Sequence, residues 1–124
     1  MRNIEIGKLG ETLAENFLTS QNYKILAKNF RGRFGEIDLI CRDLGNGQIV
    51  FVEVKTRTQK KFGIPEEAIT YSKKEKLIKT SLEFLGMQNG NLRKGWRMDL
   101  IAVKLNKRLK LKEINHLKNI LDGS

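Results

Sequence analysis

The chain has 124 residues, which fits a single domain over 1–124 with core enough to need no metal or disulfide staple. Lys and Arg number 24 against 14 Asp and Glu, and the net charge of +10 favours a polyanionic partner, unless it serves solubility alone. One Cys and one His exclude an internal disulfide framework and a Cys/His zinc centre.

The first predicted element is a helix over 6–20, with Leu9, Leu13, Ala14, Phe17 and Leu18 as its apolar stripe. Glu11 stands at the edge of that stripe, where spacing alone favours a solvated carboxylate over one reaching a sheet. Gln21-Asn22 closes the helix, and 23–29 reads as a first strand. The stretch Asn29-Phe30-Arg31-Gly32-Arg33-Phe34-Gly35 mixes arginines, aromatics and glycines. It suits a loop that grips a phosphate backbone or stacks on bases, and equally an ordinary connection with exposed arginines.

Gly35-Glu36-Ile37-Asp38-Leu39-Ile40 and Ile49-Val50-Phe51-Val52-Glu53-Val54-Lys55 read as two further strands. Alternation puts Glu36, Asp38 and Ile40 on one face, opposite Ile37, Leu39 and Cys41. Glu53 and Lys55 likewise project away from Val50, Val52 and Val54. Between the strands, Asn46-Gly47 signals a hairpin. If those two residues form the turn, Asp38 lies opposite Lys55; if Gly45-Asn46 form it, Asp38 lies opposite Glu53. Either register gathers Asp38, Glu53 and Lys55 on one face, unless a bulge breaks the parity. Cys41, on the apolar face, reads as a small buried hydrophobe.

Thr56-Arg57-Thr58-Gln59-Lys60-Lys61-Phe62-Gly63 reads as a basic loop, and Pro65-Glu66-Glu67 as the start of a helical turn. Ser72 and Glu75 fit a capping box for a helix over 73–85, with Leu77, Ile78, Ser81, Leu82 and Leu85 at core spacing and Gly86 as its stop. Lys73, Lys74, Lys76 and Lys79 surround its first turns, as a solvated face or a phosphate-binding one. A polar loop over 87–95, a strand over 97–105, a tight turn at Asn106-Lys107 and a partner strand over 108–114 complete the chain. His116 falls in a C-terminal tail, far in sequence from the acids, which speaks against a Ser-His or Cys-His couple. No apolar run reaches about 18 residues and no signal-peptide pattern opens the chain, so a cytoplasmic protein without membrane association is expected. Helix, three strands, helix, two strands make a mixed α/β domain.

Phosphodiester hydrolysis needs an activated water and stabilisation of charge on the phosphoryl and leaving oxygens. A hard cation held by carboxylates serves those needs, and Mg²⁺ favours all-oxygen ligation with retained waters. Asp38 and Glu53 could ligate it, with the Val54 carbonyl as a third oxygen, while Lys55 orients the water or stabilises the transition state. The bland alternative is a cross-strand ion pair, worth under about 1 kcal/mol if exposed.

Glu53-Val54-Lys55, preceded by Asp38, resembles the D…(D/E)-x-K signature of restriction-endonuclease-like nucleases. Further matches are Gly7-Lys8-Leu9-Gly10-Glu11, Asn29-Phe30-Arg31, Phe51-Val52, Thr56-Arg57, Phe62-Gly63 and Arg97-Met98-Asp99-Leu100. Over about 7–105 the chain is similar to the bacterial YraN-like family of predicted endonucleases. That resemblance implies a restriction-endonuclease-like core, a central mixed β-sheet flanked by helices, as in archaeal Holliday-junction resolvases. It implies a Mg²⁺- or Mn²⁺-dependent endonuclease acting on structured or branched DNA. Asp38, Glu53 and Lys55 take the catalytic places, and Glu11 matches an additional helical acid at the metal, reversing the reading from spacing. Lys73 matches a basic position taken as a phosphate contact, and Arg31, Arg33, Arg57, Lys60 and Lys61 would join it in positioning the backbone. Ile37 stands where the generic motif has proline. The alternatives are a catalytically inactive nuclease-fold module that binds nucleic acid, and an interaction protein that docks an acidic partner. Cleavage of two strands would favour a homodimer.

Overall fold

A computed structural model describes residues 2–58, 69–88 and 94–121. Helix α1 (Asn3–Ser20) leads into strands β1 (Tyr23–Arg31), β2 (Glu36–Asp43) and β3 (Ile49–Thr58). Helix α2 (Tyr71–Gly86) then crosses to β4 (Trp96–Leu105), and β5 (Leu111–Leu117) follows. The five strands form one mixed sheet in sequence order, antiparallel except for the β3–β4 pair. This is an α/β fold with a mixed sheet between two helices, consistent with a restriction-endonuclease-like core. Among the described residues no helix is long and apolar enough to cross a membrane.

Two cores follow from the alternation of β2, β3 and β4. Leu39, Cys41, Val50, Val52, Ile101 and Val103 face α1, where Ala14 and Leu18 meet them. Ile40, Phe51, Met98 and Leu100 face α2, where Leu77, Phe84 and Leu85 cover them. Burial pushes the Cys41 thiol up to about 12, as suits an inert packing residue. Helix α1 lies close on β3 because Gly10 has no side chain: a Cβ there would overlap the Thr56 side chain, reaching 2.8 Å from its Cβ. Gly10→Ala is expected to cost about 1–3 kcal/mol by overpacking, measured as a lower urea midpoint with an unchanged m-value.

Several local expectations shift. The hairpin loop is four residues long, with Asp43 N–H donating to Gln48 O at 2.9 Å and Gly47 in the left-handed region at φ 81°. Its register sets Leu39 opposite Val52, as a turn at Gly45-Asn46 would, and Asp38 and Glu53 come together just beyond the end of that ladder. The cap of α2 is Thr70 rather than Ser72: its Oγ1 accepts from Lys73 N–H at 3.2 Å. Leu77, Ser81 and Leu85 face the core as expected, but the helix is turned relative to the rest of the stripe, with Leu82 53% exposed while Thr80 and Phe84 are buried. The Thr80 and Ser81 hydroxyls donate within the helix, to Lys76 O and Leu77 O, so small polar residues can sit against the sheet. The expected loop over 29–35 shortens, since β1 runs to Arg31. Strand β5 starts later than expected because Asn106 Oδ1 accepts from Arg108 and Lys110 N–H and holds a longer loop. His116 therefore lies in a strand, opposite Ile101, and not in a tail.

Candidate active site

Two carboxylates are buried among the described residues, Glu53 and Asp99, and they lie one register step apart on β3 and β4 but on opposite faces of the sheet. Asp99 has a full set of partners. Arg97 Nε donates to its Oδ1 at 3.0 Å, His116 Nε2 lies 2.7 Å from its Oδ2, and Asn119 N–H donates at 2.9 Å. The same guanidinium reaches Asp43, Gln48 and Tyr23 Oη at 3.0, 2.8 and 2.9 Å. This network ties β4 to the hairpin loop, β1 and β5, and it leaves no free valence for chemistry.

The other face is built differently. Asp38 and Glu53 approach across β2 and β3 until their carboxyl groups hydrogen-bond to each other, while Val54 N–H donates to Asp38 Oδ2 at 2.8 Å. Burial first, then the bond to Glu53 and its charge, push the Asp38 carboxyl up to about 9, against the pull of the Val54 amide and with a further push from Glu11. The pair thus keeps a proton at neutral pH because two adjacent, desolvated carboxylates cannot both ionise. Lys73 Nζ lies 2.6 Å from Glu53 Oε2. Burial works against the Lys73 ammonium, yet its bond to Glu53 more than offsets this and holds its pKa above the usual lysine value. Lys55 sits beside both: burial, then the charge of Lys73, lower its pKa despite the opposing pull of Glu53.

Asp38, Glu53 and Lys73 line an open cavity of about 470 Å³, shared with Phe34, Glu36 and Thr80. Lys55 lines an adjoining cavity of about 420 Å³ with Glu11, Val54 and Arg57. Glu11 is half-buried, so it does not point freely to water; its Oε1 accepts from Asn29 Nδ2 at 3.0 Å. Asn29, left-handed at φ 51°, also approaches Glu36 Oε1 at 3.4 Å, which ties the helical acid to the strand acid. Val54 meets Asp38 through its N–H rather than its carbonyl. Arg31 stands at the rim, paired with Glu36 at 3.1 Å, and Arg57 bonds its neighbour's carbonyl, Thr56 O, at 2.9 Å. Arg33 lines neither of these cavities but a third, beside Phe34 and Lys79. Lys60, Lys61, Phe62-Gly63 and Pro65-Glu66-Glu67 lie outside the described residues.

Sequence reasoning missed Glu36 and Asn29 as members of the site, and it missed Glu53 as the partner of Lys73. Alternation placed Glu36 on the face of Asp38, which was the available signal. Nothing local pairs Lys73 with a residue twenty positions away. The donor set fits a hard divalent cation: two facing carboxyl groups hold a proton where a cation would satisfy both. Among the described residues no three acids converge on one point, but Mg²⁺ needs only one or two carboxylates beside water and phosphate.

The raised Asp38 pKa has a consequence for stability. Its contribution is fully present below the ordinary value of 3.8 and is lost as pH rises through about 9, since ionisation then costs more in the folded state than in the unfolded chain. Relative to wild type in chelator, Asp38→Asn is expected to gain more than about 1.4 kcal/mol between pH 5 and pH 8, the worth of a single pKa unit. Urea unfolding at the two pH values measures it. A wild type that gains on the variant with rising pH would show a favourably ionised Asp38.

Comparison with known proteins gives a consistent family relationship. The model of the uncharacterised protein family UPF0102 matches residues 10–103. A UPF0102 protein of Thermodesulfovibrio yellowstonii is 46% identical over 121 residues, covering 96% of this chain and 97% of that protein. One of Caldanaerobacter subterraneus subsp. tengcongensis is 44% identical over 115 residues, covering 92% of each. One of Persephonella marina is 41% identical over 116 residues, covering 94% of this chain and 92% of its relative.

Proposed function

The chain belongs to the uncharacterised protein family UPF0102, the YraN-like group, and we propose that it is a metal-dependent endonuclease hydrolysing phosphodiester bonds in structured or branched DNA. The observation that carries this reading is the facing pair Asp38 and Glu53, short of one positive charge, with two lysines at its mouth. Asp38 and Glu53 would hold Mg²⁺ or Mn²⁺, which when bound supplies charge stabilisation at the phosphoryl oxygens and an acidified water. Lys55, with its pKa lowered by burial, exchanges a proton with the attacking water or holds charge developing on the phosphoryl group. Lys73 steadies Glu53 and offers its ammonium to the entering phosphate. Glu11, fastened by Asn29, adds negative potential from the helix side, as its push on Asp38 indicates.

The wider surface supports a polyanionic substrate. The net charge is +10, and Lys73 and Lys74 sit in the first turn of α2, where their repulsion from the helix dipole is relieved by an anion. A non-catalytic DNA-binding module is the second reading, favoured by one contact: Lys73 already neutralises Glu53. The test is a panel of labelled duplex, flap, four-way-junction and single-stranded substrates with Mg²⁺, Mn²⁺ and chelator, beside Asp38→Ala purified identically. Metal-dependent cutting absent from the variant is the expected result. Binding without cutting, equal in both proteins, would leave the binding module.

A further inference from the structure

Phe34 keeps 46% of its surface exposed, although it stands on the wall of the acid cavity and so beside Asp38 and Glu53. The same ring also lines a neighbouring cavity of about 400 Å³ with Arg33, Lys79, Leu82 and Glu83. It is held in place on a tight turn. Gly32 N–H donates to Gly35 O at 2.8 Å, and Glu83 Oε1 accepts from Arg33 N–H at 2.9 Å. A Cβ at Gly32 would come 2.5 Å from that Glu83 oxygen, so a larger residue there would push the Glu83 carboxylate aside. The Lys79 ammonium lies 5.2 Å from the ring centroid. A fixed, half-exposed aromatic ring with cations about it, one step from the acid pair, has the chemistry of a base-stacking platform.

We propose that Phe34 stacks on an unpaired base of the DNA strand whose phosphate enters the acid cavity, so that the preferred substrate carries an unpaired nucleotide beside the bond to be cut. The identification of the cavity as a phosphate site rests on the endonuclease reading above. Bases inside a duplex are already stacked and offer no free face to a protein ring, so the platform selects flaps, gaps, bulges or junction arms over continuous duplex. The charge about the ring decides against a second copy of the chain as occupant. Arg33 and Lys79 flank the ring and the whole chain carries +10, so a copy would bring like charge against like. Among the described residues Glu83 is the one carboxylate lining this cavity, and it is committed to the Arg33 amide.

The test is equilibrium binding in chelator, which needs no turnover. Two probes of one sequence carry 2-aminopurine, in one as an unpaired nucleotide within a duplex and in the other fully paired. Wild type is expected to bind the unpaired probe more tightly and quench its fluorescence. Phe34→Ala should lose about tenfold on that probe together with the quenching, while its affinity for the paired probe stays within a few-fold. Phe34→Trp should retain both properties, and Phe34→Leu, apolar without a π-face, should behave as Ala does. Lys79→Ala should weaken both probes alike. Equal affinity of wild type for the two probes, no binding of either, or a Leu variant that keeps the preference would overturn the proposal. Because the ring is half-exposed, matching thermal melts are expected for all the variants. Probe preference without cleavage of any substrate would sink the endonuclease and spare the platform; metal-dependent cleavage without preference would do the reverse.

Discussion

Lys55→Ala is expected to lower the cleavage rate by about a thousandfold while DNA affinity falls no more than a few-fold. Lys55 lies in the second half of β3, half-buried in a cavity wall, and its amine stands among Glu53 and Lys73 rather than in the core. Truncation therefore removes the chemistry and leaves the sheet, whose ladder runs through Thr58 by backbone bonds. The lysine carries a pKa lowered by burial and by the neighbouring Lys73 charge, the condition under which an amine becomes useful for proton transfer nearer neutral pH. Lys55→Arg separates two roles. Guanidinium cannot give up its proton, so an arginine that restores cleavage indicates charge stabilisation, and one that does not indicates proton transfer. Single-turnover rates with binding measured in parallel decide the matter. Equal loss of rate and affinity would move Lys55 to the binding surface.

Asp99→Ala is expected to cost about 3–5 kcal/mol, a large share of a total stability of about 5–15 kcal/mol for an ordinary domain. The carboxylate is fully buried and partners Arg97, His116 and the Asn119 amide; without it, the buried guanidinium keeps only the less buried Asp43 as counter-charge, and His116 and the Asn119 amide lose their acceptor. Burial alone would raise the Asp99 pKa, but the bonds from His116, Arg97 and Asn119 outweigh it and hold the group below 3.8. The stability this confers is present above that value and is lost as the pH falls through the folded-state pKa. Asp99→Asn keeps the shape and some hydrogen bonds while removing the charge, so it should fall between wild type and Ala. Urea denaturation reports all three. A loss below about 1 kcal/mol for Ala would show that Asp43 alone can compensate Arg97. Any Asp99 variant that folds should still bind DNA, because the network sits on the opposite face of the sheet from Glu53.

The acids of the candidate site were legible because a strand's side chains alternate by covalent geometry: once 36–40 and 49–55 read as strands, either hairpin register put Asp38 and Glu53 on one face unless a bulge broke the parity. The α/β order, the burial of Cys41 and the stripe of α1 followed from equally local patterns. Tertiary structure decided what no neighbouring residue encodes. It chose the hairpin register that sets Asp38 against Glu53, and it turned α2 so that Thr80 and Phe84 face inward and Leu82 faces out. It brought Lys73 to Glu53 and Phe34 to the rim of the same cavity. It also gathered Tyr23, Asp43, Arg97, Asp99 and His116 around one guanidinium, across as many as 74 positions of sequence. Period and propensity act within a few residues, whereas the partner of a buried charge is whichever opposite charge the folded backbone delivers, and the need to satisfy it acts only once the chain has packed.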